Sequence, residues 1–149
     1  MDFSRKSRWV LDGHKTPDPV GSTHAGVASR DSVRIGFTCA ALNGLDAWAA
    51  DIRNACLQAP SSQKDHIVCG PEFGLENVGK VALTKRALCG GKAAGRDFRN
   101  HLRACVRHLD FQSCLADPDV WMRPAKKSDG SEHHEHAPLC ADDACAGSK

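Results

Sequence analysis

The sequence predicts an α+β fold, an antiparallel sheet with helices packed on it, and three observations predict it. Apolar residues recur at helical spacing in two stretches, one through Val33, Phe37, Ala40 and Ala41 and one through Phe98, Leu102, Cys105 and Leu109. Short apolar runs come in pairs separated by turn residues, as His66-Ile67-Val68-Cys69 and Lys80-Val81-Ala82-Leu83 do. The tail from Glu132 to Ala146 reads as a hairpin. A chain of 149 residues is one domain's worth, with no room for a second large core.

Taken in order, Trp9-Val10-Leu11 reads as a short strand before a loop rich in breakers, Asp12 to Pro19. The first helix starts at about Ser29 and stops at Asn43-Gly44. Leu45 to Ile52 reads as a mostly buried strand that delivers Asp51 at its end, followed by a helical turn through Leu57 to Pro60. Two strands then flank the loop Gly70-Pro71-Glu72-Phe73-Gly74, and Cys89-Gly90-Gly91-Lys92 forms a glycine-rich entry to the second helix. On that helix Arg96, Arg99, Arg103 and Arg107 fall opposite the apolar stripe. Such a face is ordinarily solvated, although it could also touch a phosphate backbone. Asp117-Pro118-Asp119 is a turn, Val120-Trp121-Met122 a strand, and Ser128 to Ser131 a hydrophilic loop before the terminal hairpin.

Composition narrows the classes. Twenty Lys and Arg against 18 Asp and Glu leave a net charge of +2, so any nucleic-acid footprint must be local. Eight cysteines without a signal peptide read as reduced thiols of an intracellular protein. No run approaches 18 apolar residues, which predicts no membrane span. There is no tyrosine, against three tryptophans and five phenylalanines.

The chemistry-bearing stretch is Cys140-Ala141-Asp142-Asp143. Two carboxylates about 4 Å apart repel by roughly 4 kcal/mol at an effective dielectric near 20, so a tight Asp-Asp turn is either open to water or holds cations. An isolated pair is most often a solvated turn. Oxygen-only ligand sets suit Mg²⁺ or Mn²⁺, and paired ions of that kind serve in-line phosphoryl displacement. A third carboxylate must then come from elsewhere, and Asp51, an acidic residue ending an apolar strand, is the candidate.

The segments Arg8 to His14, Ser29 to Ile35, Ala50 to Leu57, Gly70 to Gly74, Ala87 to Lys92 and Ala116 to Trp121 resemble, in order and spacing, the copia-type retrotransposon reverse transcriptase, over roughly residues 8 to 146. The resemblance implies a reverse-transcriptase-like fingers and palm, with about 1–28 and 60–86 fingers-like and about 29–59 and 87–149 palm-like, and the thumb and ribonuclease H regions absent. It implies an RNA-directed DNA polymerase with two Mg²⁺ or Mn²⁺ ions held by Asp51, Asp142 and Asp143. Its partners would be an RNA or DNA template-primer, deoxynucleoside triphosphates and the rest of a Pol polyprotein, in a cytoplasmic particle or the nucleus. Arg8, Cys56, Lys92, Cys140 and Ala141 match nucleotide-binding positions: Arg8 a basic residue near the triphosphate, Cys56 the aromatic that screens out a 2′-hydroxyl, and Lys92 part of the glycine-rich turn lining the nucleotide.

The departures are systematic. The family carries Tyr where this chain has Cys140 and Cys89, and an aromatic where it has Cys56. Codons for Tyr, Cys and His differ by single transitions, so a chain without Tyr and rich in Cys and His reads as a decayed copy with weak or absent activity. Pro138 in the strand feeding the turn removes a ladder hydrogen bond unless that strand is at an edge, and Ala144-Cys145-Ala146 makes a poor returning strand. The alternatives are a catalytically dead remnant that binds nucleic acid or protein, and a zinc module built from His133, His134, His136, Cys140 and Cys145. The second has no Cys-x-x-Cys, and its ligands crowd one strand. A cysteine hydrolase is weaker still, since no cysteine has a recognisable nucleophile context.

Overall fold

The computed structural model describes residues 9–140 in full and residues 143–148 as backbone. In chain order the elements are α1 (Arg30–Leu42), β1 (Asp46–Asp51), α2 (Ala55–Gln58), β2 (His66–Val68), β3 (Val81–Leu83), α3 (Ala94–His108), β4 (Gln112–Ser113), β5 (Val120–Lys126), β6 (Glu132–Pro138) and β7 (Asp143–Ser148). The chain is α+β, with a five-stranded sheet in the order β1-β7-β6-β5-β4 and a two-stranded sheet β2-β3. Every pairing is antiparallel. The chain divides into two compact units, one built from the chain up to His24 with Cys56–Phe98, the other from Ala25–Ala55 with the chain from Arg99 on. The division falls inside α3.

In the second unit, α1 begins where the sequence places it. Ser29 is extended, and its hydroxyl accepts from the Ser32 amide at 3.1 Å, satisfying one of the donors a helix start leaves open. The Ser29 amide donates to Asp117 Oδ2 at 2.8 Å. Hydrogen bonds from the Ser32 side chain, and then from the Ser29 amide, hold the Asp117 carboxyl below the usual carboxylate range. At the other end the Asn43 side chain donates to the Cys39 carbonyl at 2.7 Å, and Gly44 at φ +59° turns the chain out of the helix. The apolar stripe is less buried than its spacing implies: Ala40 is buried and Val33 half-buried, whereas Phe37 is half exposed and Ala41 exposed.

The β5–β6 hairpin has register Val120↔Pro138 through Lys126↔Glu132. Its turn is closed by the Lys127 amide donating to the Ser131 carbonyl at 2.9 Å, while Asp129 Oδ1 accepts from the Ser131 amide and hydroxyl. Pro138 ends β6, an interior strand, so its missing N–H falls on the last register position. The next residue restores the bonding: the Leu139 amide donates to the Asp119 carbonyl and its own carbonyl accepts from Ala28, both at 2.8 Å.

Val106, Trp121, Ala137 and Leu139 form this unit's core, with Leu102 and Phe111 packed against it. That corrects the expected orientation of α3. Cys105 is exposed and Leu109 is 57% exposed, whereas Val106, about 80° round the helix from Phe98, is buried. The arginine stripe is only partly solvated: Arg107 is exposed, while Arg96, Arg99 and Arg103 are half-buried. Arg103 and Arg107 each set their guanidinium carbon 5.6 Å from the ring centre of Trp121, and Arg99 grips buried Asp119 with a two-pronged fork, Nε to Oδ1 at 2.8 Å and Nη2 to Oδ2 at 2.6 Å.

In the first unit, Trp9 to Leu11 form no strand; one ladder-like bond joins the Leu11 amide to the Cys89 carbonyl at 2.7 Å. The Trp9 ring instead meets Phe73 edge to face, centroids 4.6 Å apart. The strands β2 and β3 pair as expected, from His66↔Leu83 to Val68↔Val81. Gly90, at φ +87°, lies where a Cβ would strike the Leu11 carbonyl and the Val10 side chain, so the glycine-rich turn is set by close backbone approach. At the start of α3, buried Asp97 accepts from the Ser62 amide and hydroxyl at 2.7 and 2.8 Å, while Arg96 donates to Ser62 Oγ and to the Ser22 carbonyl.

Candidate active site

Asp51 ends β1, and β1 pairs with β7 along six positions from Asp46↔Ser148 to Asp51↔Asp143. Directly opposed positions of an antiparallel pair share one face of the sheet, with Cβ positions about 5 Å apart. The acidic position from mid-chain and the last acidic position of the tail are therefore ladder neighbours, although 91 residues separate them along the chain (143 minus 51, less one). Asp143 is the first residue of β7, so it opens the returning strand. Ala144, Cys145 and Ala146 form that strand in spite of their composition, paired with Ala50, Ala49 and Trp48. Asp142, Ala141 and Arg8 lie outside the described residues.

Burial around Asp51 differs from the sequence expectation. All six residues of β1 are exposed, Trp48 at 67%, so neither face of the sheet is covered there, and β1 is the edge strand rather than an interior one. The desolvation argument that singled out Asp51 thus does not apply, and what marks this residue is its register. The donors of Asp51, Asp142 and Asp143 are all carboxylate oxygens, which fit a hard ion such as Mg²⁺ or Mn²⁺.

The remaining candidates fall elsewhere in the two units. Cys140, half-buried, follows the bridge residue Leu139 in the second unit. Cys56, half-buried, is the second residue of α2 in the first unit. Lys92 is engaged: its ammonium donates to the Thr16 carbonyl and to Asp18 Oδ1, both at 2.8 Å, and that contact holds the Asp18 carboxyl below its ordinary range. The histidines of β6 alternate across the sheet, so buried His133 and exposed His134 take opposite faces. Burial, and then the neighbouring His134, push the His136 imidazole below its ordinary value. Among the described residues no group of three or more His, Cys, Asp or Glu side chains gathers as a ligand set.

Sequence reasoning missed the role of Asp117-Pro118-Asp119. Asp117 receives the start of α1, Asp119 holds Arg99, and the Asp119 carbonyl receives Leu139, which immediately precedes the Cys140-to-Asp143 stretch. The two acids flanking a proline were the available signal, and a turn was all they indicated. No helix among the described residues is long and apolar enough to cross a membrane. The chain matches no family model, no curated protein and no solved structure at a significant level.

Proposed function

We propose that this chain is the fingers-and-palm part of a copia-type reverse transcriptase domain, an RNA-directed DNA polymerase whose activity is impaired. The observation that carries the reading is the Asp51↔Asp143 register, which supports one acidic site made from mid-chain and tail. The two units interleave along the chain, first and third segments in one and second and fourth in the other, which supports a fingers-and-palm order, although residues 87–98, Lys92 among them, fall in the first unit rather than the second.

Asp51, Asp142 and Asp143 would hold the Mg²⁺ or Mn²⁺ ions, which when bound supply charge neutralisation for in-line attack of a primer 3′-hydroxyl on a deoxynucleoside triphosphate. The protein's part would be to set the Asp51 and Asp143 positions on paired strands before the ions arrive, so that less reorganisation remains. Around that centre the residues fit catalysis poorly. Lys92 is held by Asp18, and Cys56 and Cys140 replace aromatics that would pack on the nucleotide. These features favour, as a second reading, a remnant that keeps the fold and binds a template-primer without extending it.

Primer extension on an RNA template, with Mg²⁺ and then Mn²⁺, separates the two. The polymerase reading expects weak extension by the chain, stronger extension by a Cys56→Phe/Cys140→Tyr variant fused to a family thumb, and loss of at least a hundredfold in Asp51→Asn of either protein. Extension unaffected by Asp51→Asn refutes the assignment. Template-primer binding with no extension by the restored fusion favours the remnant.

A further inference from the structure

We infer that His101 and Cys105 form a two-donor chelate for a zinc-class divalent ion on the exposed side of α3. The two residues stand one turn apart, the spacing that puts side chains on the same face of a helix, and Cys105 Sγ lies 3.8 Å from His101 Nε2. An ion bound at about 2.05 Å to nitrogen and 2.3 Å to sulfur, with a tetrahedral angle between them, requires the donors to be about 3.6 Å apart. The observed separation is within a few tenths of an ångström of that. A small turn of either side chain closes the difference.

The setting suits such a site. Cys105 is exposed and His101 half-buried, so an ion can enter from solvent and keep water in its two remaining positions. The helix beneath is fixed by Val106 and Leu102, the residues that follow each donor, which pack into the core. Thiolate and imidazole together select borderline-soft ions over Mg²⁺ or Mn²⁺, so this site and the carboxylate pair answer to different metals. His108 falls on the same sector of the helix but is about 10 Å further along the axis from His101, too far to complete the set. Binding displaces a proton from the Cys105 thiol and uses the neutral form of His101. The inference does not rest on the polymerase reading.

Titration of the reduced full-length chain with Co²⁺, followed by displacement with Zn²⁺, tests it. The expected result is a thiolate-to-cobalt charge-transfer band at one ion per chain. Cys105→Ser should abolish the band, and His101→Ala should weaken binding by on the order of a hundredfold, because a chelate becomes a single contact. Cys39→Ser, on α1, should leave it unchanged. Both test side chains reach the surface of α3, and far-ultraviolet circular dichroism verifies that the variants fold. No band at millimolar Co²⁺, a band that survives Cys105→Ser, or equal affinity in His101→Ala overturns the inference; each leaves the 3.8 Å approach as a thiol–imidazole hydrogen bond only.

Discussion

Replacing the buried Asp119 with Ala should destabilise the second unit more than removing any one of its exposed charges. The carboxylate is 6% exposed and Arg99 is 21% exposed, so the pair is largely removed from water, and its fork is made of two bonds at 2.8 and 2.6 Å. Breaking one side of such a pair strands the other charge, which costs about 3–5 kcal/mol. Against a total stability of roughly 5–15 kcal/mol for a typical domain, that is a large share. At about 2–4 °C per kcal/mol for a chain near this length, the midpoint should fall by roughly 6–20 °C. Urea unfolding of Asp119→Ala, Arg99→Ala and the double variant is the assay, with the slope checked for constancy. Because each single change leaves the partner stranded, the double variant should cost less than the sum of the singles by about 1–3 kcal/mol. A loss below about 1 kcal/mol in Asp119→Ala, or simple additivity, would refute the argument and class the fork with exposed pairs.

Three further outcomes follow from the geometry. Asp117 is lowered in the folded chain, so its contribution is present above the unfolded carboxylate value of about 3.9 and is lost as pH falls through the folded value. The stability gap between wild type and Asp117→Asn should therefore be full at pH 6 and close only as the pH falls through the lowered folded value, as read by urea midpoints; a gap constant with pH would contradict this. His136 is also lowered, but for a base the sign is a penalty: stability should drop as pH falls below about 6.5, and His136→Gln should flatten that part of the profile. Gly90→Ala should cost about 1–3 kcal/mol or more, because φ +87° is strained for a side chain and the Cβ meets Leu11; an unchanged thermal midpoint would show that the turn relaxes freely.

Local signals in the chain were legible. Ser29 before α1, Asn43-Gly44 after it, and the Ser128-to-Ser131 turn state their roles within a few residues, because caps and turns are satisfied by near neighbours. Placement across the sheet was not. An apolar strand such as β1 reads the same whether its faces are covered or bare, and only the tertiary packing decides that all its residues are exposed. The arginines of α3 looked solvated because their partners lie far along the chain: Asp119 is 20 residues from Arg99, and Trp121 is 18 from Arg103 by subtraction of their numbers. At the candidate site, Asp51 was singled out as a partner of the tail acids by its place at the end of an apolar strand, and the resemblance pointed to the same residue. Composition alone pointed to burial, and the strand is exposed along its whole length.

The edge position of β1 has a bearing on how the protein behaves at high concentration. A free strand margin displaying Trp48 is an invitation to stack further chains, yet this one is bracketed by Asp46 and Asp51. If a second molecule laid its own β1 alongside, head to tail about the midpoint of the strand, each Asp46 would be set against an Asp51 and both ends of the new seam would be repulsive. The acid that the catalytic reading needs thus also serves as a gatekeeper against fibre growth, and a copy that lost it would keep the sticky margin without its guard.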